Sequence, residues 1–242
     1  MADTSPATSS PASGTSPAVI VFDVNETLSD LSALGARFVD VGASASAAPL
    51  WFASVLRDGF ALTAAGENPS FATVARQLLL VQLSGSQLKG SVEAAAEHVM
   101  EGFTALEVHP DVTSGVDQLH EAGHRLVTLS NGSASVAERL LTTAGIRDRF
   151  ERLLSVEDAE RWKPAPESYA YAASVCGTDP ADMMLVACHP WDVDGARRAG
   201  FRAAWVNRTG GPYPGTFLEP TYTVGGIDEL ADRLEEAGRK SM

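Results

Sequence analysis

The chain has 242 residues, 45% of them hydrophobic, and a formal net charge of −13 spread along its length. This is enough apolar material for one sizeable core and a small accessory domain, without disulfides or a structural metal. Dispersed acidity argues against a phosphate-backbone partner, because nucleic-acid binding needs clustered Lys and Arg, and apolar runs this short do not span a bilayer.

In chain order, residues 1–17 (MADTSPATSSPASGTSP) come first. They lack a basic start and an apolar stretch, so they do not resemble a signal peptide; their Ser, Thr, Pro and Ala content predicts a disordered tail. Next comes the apolar run AVIVFD, a strand over 18–23 that ends on Asp23. Residues 32–106 are almost wholly helical in pattern, with breaks at Gly35, Gly66 to Pro69 and Gly85. They read as a helical cap inserted after the first strand. Strands follow over 125–130, 183–188, 203–206 and, more weakly, 221–224. A helix over 133–144 starts on a Ser cap and stops at Gly145, and another over 192–199 stops at Gly200. Strands alternating with helices predict an α/β fold: a Rossmann-like parallel sheet core (18–31 and 107–242) carrying the helical cap (32–106). In an open parallel sheet the ligand lies outside the carboxyl ends of the strands, so Asp23, Ser130, Asn131 and the loop from Cys188 to Asp192 should share one site. Cys176 and Cys188 have no metal-ligand spacing and form no disulfide framework, which suits a reducing cytoplasm.

Four segments, in order, resemble the haloacid dehalogenase superfamily: DVNETL at Asp23, SNG at Ser130, KPAPESY at Lys163 and CHPWDVDGARRAG at Cys188. The resemblance covers almost the whole chain. Each motif alone has a plainer explanation: an Asp after a strand is often a cap or turn residue, Lys163 can be a solvated charge, and Ser130 with Asn131 can simply shape a turn. Together they imply a hydrolase in which Asp23 attacks an electrophilic centre, becomes an ester, and is freed by water. Lys163, Ser130 and Asn131 would keep that carboxylate ionised and aimed.

The residues that depart from the family pattern narrow the chemistry. Phosphatases of the superfamily hold magnesium with an acid after the third motif strand, and that position is Cys188, a poor ligand for a hard cation. They also use an Asp two residues after the nucleophile as general acid, and that position is Asn25. Asp192 and Asp194 leave a displaced metal site open as an alternative.

The chain looks more like the type II 2-haloacid dehalogenases, which displace at carbon and need no metal or cofactor. Tyr169 and the pair Trp191 and Asp192 match that branch, which implies that Asp192 orients Lys163 and activates water while Trp191 lines the pocket. Ala187 and His189 depart from its usual Ser and Asn, and His189 reads equally as a proton carrier or a structural histidine. The Arg that receives the halide in that branch is Phe52 here; Arg57 would point to a different side. Trp51, Phe52, Phe60, Phe71 and Trp191 form either an aromatic pocket or ordinary cap core.

A site without that Arg and rich in aromatic faces suits a substrate that is positive near its leaving group. One branch of the family opens azetidine-2-carboxylate, whose protonated ring nitrogen leaves as a neutral amine, and Glu26 could pair with such an ammonium group. The expected partner is therefore a small carboxylate substrate, with its carboxylate held by backbone N–H groups around Val24, Asn25 and Asn131. The apolar cap also makes a homodimer plausible. Competing readings are a magnesium-dependent small-molecule phosphatase and a catalytically silent binding module.

Overall fold

The computed structural model describes residues 17–240. In chain order it contains β1 (Val19–Phe22), α1 (Leu34–Asp40), α2 (Ala47–Ala64), α3 (Phe71–Leu83), α4 (Val92–Thr104), α5 (Val112–Glu121), β2 (Arg125–Ser130), α6 (Ala134–Thr143), β3 (Phe150–Ser155), α7 (Val156–Ala159), α8 (Pro166–Cys176), β4 (Met183–Ala187), α9 (Pro190–Arg198), β5 (Arg202–Val206), β6 (Tyr222–Val224) and α10 (Ile227–Lys240). The six strands make one parallel sheet in the order β3-β2-β1-β4-β5-β6. Because the chain turns to opposite sides from the central β1, a crevice opens at the carboxyl ends of β1, β2 and β4.

Strand β1 is buried along its whole length, as its unbroken VIVF run requires of a strand covered on both faces. Its side chains alternate between two cores. Val19 and Val21 join a cluster with α8, α9 and the cap helices, whereas Ile20 and Phe22 pack with α5, α6 and α10. Helices α1 to α4 lie within residues 32–106, and their apolar faces run into the first cluster without a break.

Local expectations meet several corrections. Strand β3 escapes the apolar-run criterion because it is an edge strand: Glu151 and Arg152 of FERLLS face solvent, and Glu151 pairs with Arg125 on β2. Gly35 lies inside α1 and does not break it; the turn comes later, at Gly42, where φ is +96°. Ser133 is the N-cap residue of α6, yet its hydroxyl bonds Ser135 and not the helix backbone. Residues 1–16 of the expected tail lie outside the described residues, while Pro17 is buried and its carbonyl accepts from the His124 ring.

Gly59 shows how tightly the cap seats on the core. A Cβ there would lie 2.2 Å from the Trp162 ring, and Trp162 is itself held by donation from its indole N–H to the Pro69 carbonyl. Replacing a helical Gly by Ala normally gains up to about 1 kcal/mol, but overpacking a filled core costs about 1–3 kcal/mol. The clash prevails, so Gly59→Ala is expected to lower the melting temperature in a thermal unfolding measurement.

Candidate active site

Strand register delivers the first cluster of polar groups. Phe22 pairs with Thr128 and with Val186, so Asp23, one residue on, emerges beside the ends of β2 and β4. Its backbone N–H still bonds the Val186 carbonyl. Asp23 is buried, and both carboxylate oxygens are engaged. The Lys163 ammonium donates to Oδ1 at 2.8 Å, and the Thr27 hydroxyl donates to Oδ2 at 2.7 Å. His189 Nδ1 lies 3.2 Å from the same Oδ2.

Lys163 is completely buried and also donates to Asp192 Oδ2 at 2.6 Å; the Tyr169 hydroxyl donates to the other Asp192 oxygen, also at 2.6 Å. Buried charges need partners of this quality, since desolvation costs several kcal/mol per ion. Burial by itself would raise the Asp23 pKa, but Lys163 and then His189 override it and hold the carboxyl well below the usual carboxylate range. Asp192 shifts the other way: burial and its neighbour Asp23 raise it, against Lys163. Burial would lower Lys163, and the two carboxylates raise it instead. Asp23 is therefore the member of the pair held ionised. Gly195 guards this network, since a Cβ there would lie 2.5 Å from the Tyr169 hydroxyl oxygen.

The other expected donors work at one remove. The Ser130 hydroxyl accepts the Gly132 N–H at 2.9 Å, and Asn131 clamps the Lys163 backbone by accepting its N–H at 2.9 Å. Neither is bonded to Asp23 among the described residues. Ser130 shapes the turn, and Asn131 positions the lysine. Thr27 was not singled out from sequence; its position four residues after Asp23, on the turn leaving β1, brings its hydroxyl back to that carboxylate and lets it accept the Cys188 N–H. Val24 and Asn25 are buried on the same turn, and the Asn25 amide lies near Gly132.

A second ion pair adjoins the first. His189 Nε2 lies 2.8 Å from Glu26, and the imidazole stacks between Trp191 and Phe52, with ring centroids 5.0 and 6.3 Å away. Burial works against a charged His189, but Cys188, Asp23 and Glu26 raise its pKa well above the ordinary value. Glu26 has φ of +62°, a left-handed conformation that costs a side-chain-bearing residue about 1–2 kcal/mol. Glycine, without a Cβ, would adopt this conformation freely.

The expected aromatic residues form a connected run, joined by Phe52 and Phe71 with ring centroids 6.2 Å apart. Phe52 and Trp191 stack on the imidazole, and Phe60 lies edge-on to Trp191 at 4.9 Å. Trp51 belongs to the cap interior, donating to the Ala75 carbonyl, and Phe71 stacks on Phe103 and Trp162. Arg57 is turned outward and pairs with Asp58, so it does not replace the missing guanidinium. A cavity of about 630 Å³ reaches Glu26, Cys188 and His189 but stops short of Asp23. His189 thus stands between Asp23 and the open cavity.

Asp23, Cys188 and His189 offer an oxygen, a sulfur and a nitrogen within 4.8 Å of one another. Magnesium takes near-octahedral oxygen ligands, so this donor set does not fit it. No helix among the described residues is long and apolar enough to cross a membrane.

Comparison with known proteins agrees with this geometry. A family model described as haloacid dehalogenase-like hydrolase matches residues 17–200. The (S)-2-haloacid dehalogenase 4A of Burkholderia cepacia is 28% identical over 212 residues, 87% of this chain and 91% of that one. Haloacetate dehalogenase H-2 of a Moraxella species is 31% identical over 138 residues, 57% of this chain; the match spans 62% of that relative's length. A crystal structure of a dehalogenase with an intermediate complex superposes with a TM-score of 0.84 at 27% identity, covering 90% of this chain and 97% of that one. With its parallel sheet, inserted helices and buried Asp23–Lys163–Asp192 cluster, this chain belongs to the haloacid dehalogenase-like hydrolases.

Proposed function

We propose that the protein hydrolyses a small 2-substituted carboxylate by in-line attack of Asp23 on C2, and that the leaving group is the ring amine of azetidine-2-carboxylate or a related cationic nitrogen. The observation that carries this reading is the surroundings of Asp23: Phe52 stacks on His189 where the resemblance puts a halide-accepting Arg. Three carboxylates, Asp23, Glu26 and Asp192, face two cations, Lys163 and His189. A site with this balance and aromatic faces favours a departing group that is positive before it leaves and repels one that departs as an anion. Asp192 and Tyr169 hold Lys163, Lys163 and Thr27 aim Asp23, and Asn131 fixes the lysine backbone. Val24, Asn25 and Asn131 supply backbone donors for the substrate carboxylate. Trp191 and Phe60 close the apolar side.

The names of the relatives favour a second reading, 2-haloacid dehalogenation with the same nucleophile. A panel of azetidine-2-carboxylate, both enantiomers of 2-chloropropionate and an aryl phosphate, run with and without chelator, separates these. The expected result is chelator-insensitive ring opening exceeding chloride release; comparable turnover of 2-chloropropionate would overturn the amine preference. In heavy-oxygen water, multiple turnovers should label the Asp23 peptide. Label confined to product would mean direct attack by water.

Exposed Val39, Leu50 and Val81 on the cap helices support a homodimer, testable by sedimentation. Two free cysteines, Cys176 and Cys188, suit a reducing cytoplasm.

A further inference from the structure

The family resemblance gives water activation to Asp192, yet both Asp192 oxygens are engaged by Lys163 and Tyr169, whereas His189 and Glu26 link Asp23 to the cavity. His189 Nδ1 lies 3.2 Å from Asp23 Oδ2, its Nε2 lies 2.8 Å from Glu26, and the ring is fixed between Trp191 and Phe52. Nucleophile, imidazole and orienting carboxylate in sequence form the arrangement by which a base is aimed and held in one tautomer. Glu26 occupies a strained left-handed position that any glycine would take freely. Strain of this kind persists where a side chain has a task.

Resting on the Asp23 ester chemistry proposed above, we infer that His189, oriented by Glu26, is the base that delivers water to the Asp23 ester. The nucleophile itself times the step. Before attack, the imidazolium lies between the Asp23 and Glu26 carboxylates. Attack on C2 converts Asp23 to a neutral ester and removes one of the two negative charges that hold the proton. A departing neutral amine takes the Nδ1 proton and leaves as ammonium; with a halide, the proton passes to solvent through the cavity. The freed Nδ1 lone pair now faces the ester. A water entering from the cavity gives a proton to Nδ1 as its oxygen bonds to the Asp23 Cγ. Collapse of the tetrahedral intermediate breaks the bond from Cγ to the product oxygen, and that oxygen takes the proton back from Nδ1 to give the 2-hydroxy acid. The regenerated Asp23 carboxylic acid returns its proton to the imidazole, restoring the resting state.

The groups that face this imidazole are few. Asp23 comes from the end of β1, Glu26 from the following turn, Cys188 from the end of β4, and uncharged Phe52 and Trp191 from α2 and α9. Lys163 lies beyond Asp23. Across the cavity, His109 bonds the Glu26 carbonyl, Asp30 bonds the Ser32 N–H, and Arg208 is bound by Asp111 and the Thr27 carbonyl.

Rapid-quench kinetics with intact-mass readout, on azetidine-2-carboxylate and on (S)-2-chloropropionate, test the assignment in His189→Ala and His189→Gln. Formation of the ester should stay within a few-fold of the parent enzyme, while steady-state turnover falls ~10²–10⁴-fold, the usual range for a lost general base. The ester on the Asp23 peptide should then accumulate. In the parent enzyme kcat should fall at acid pH, where the ester-stage imidazole is protonated, and the variants should lose that limb. Glu26→Gly relaxes the strained backbone, so it should fold at least as well and still accumulate ester, though less. A reduced turnover without ester in these variants, or turnover within two-fold of the parent, would overturn the assignment. Absence of both ester and product in the parent enzyme with either compound would overturn the Asp23 chemistry itself, and the base with it.

Discussion

Asp23→Asn is expected to lower turnover ~10⁴-fold or more, since removing a covalent nucleophile leaves only binding and residual electrostatics to act. The substitution preserves the shape of the side chain but removes the charge that attacks C2. Lys163 keeps Asp192 as a partner at 2.6 Å, so the fold should survive. Steady-state assays should show the loss, and intact-mass spectra should show no adduct on the variant under conditions that trap one on the parent enzyme. Because Lys163 and His189 hold Asp23 below the ordinary carboxylate value of 3.8, ionisation of the nucleophile should not limit kcat/KM until the pH is lower than that. An acid limb attributable to Asp23 at pH 6 would contradict the geometry.

Lys163→Met is expected to have the largest effect on stability as well as to abolish activity. Removing one partner from a buried ion cluster costs about 3–5 kcal/mol, because the remaining charges stay desolvated. Here two carboxylates, Asp23 and Asp192, would be left facing each other without their shared cation. With Lys163 gone, burial and the Asp23 charge raise the folded-state pKa of Asp192 further above that of the unfolded chain, while Asp23 keeps its His189 partner. Stability from such groups is fully present below the unfolded carboxylate pKa and is lost as pH rises through the folded value. The deficit of the variant should therefore be largest near neutral pH and shrink as the pH falls toward the carboxylate range. Denaturant unfolding at several pH values measures this directly; a deficit independent of pH would mean that lost packing of the lysine stem, not charge, dominates.

Much of the fold was legible from local pattern. Apolar runs marked β1, β2, β4 and β5, because strands covered on both faces cannot hide their hydrophobicity. Glycines with positive φ ended α2, α6 and α9 where the pattern predicts. Strand β3 was not legible, since an edge strand with Glu151 and Arg152 facing water carries little of that signal. At the site, the residue types Asp23, Lys163 and Asp192 were recognisable as a set only through the order of their motifs. Thr27 was invisible to such reasoning, because a hydroxyl on a turn becomes a carboxylate donor only when the turn folds back.

The sequence by itself determined the alternation of strands and helices, the emergence of Asp23 from a buried strand, and the absence of an Arg at Phe52. These follow from periodicity and residue type, which need no partners. Only the tertiary structure decided which groups meet. It brought Lys163, 140 positions away, to Asp23, gave Ser130 and Asn131 to backbone and lysine, sent Trp51 and Phe71 into the cap core, and placed His189 between Asp23 and Glu26. Contacts between residues far apart in the chain depend on strand order, register and packing, and no local pattern encodes them.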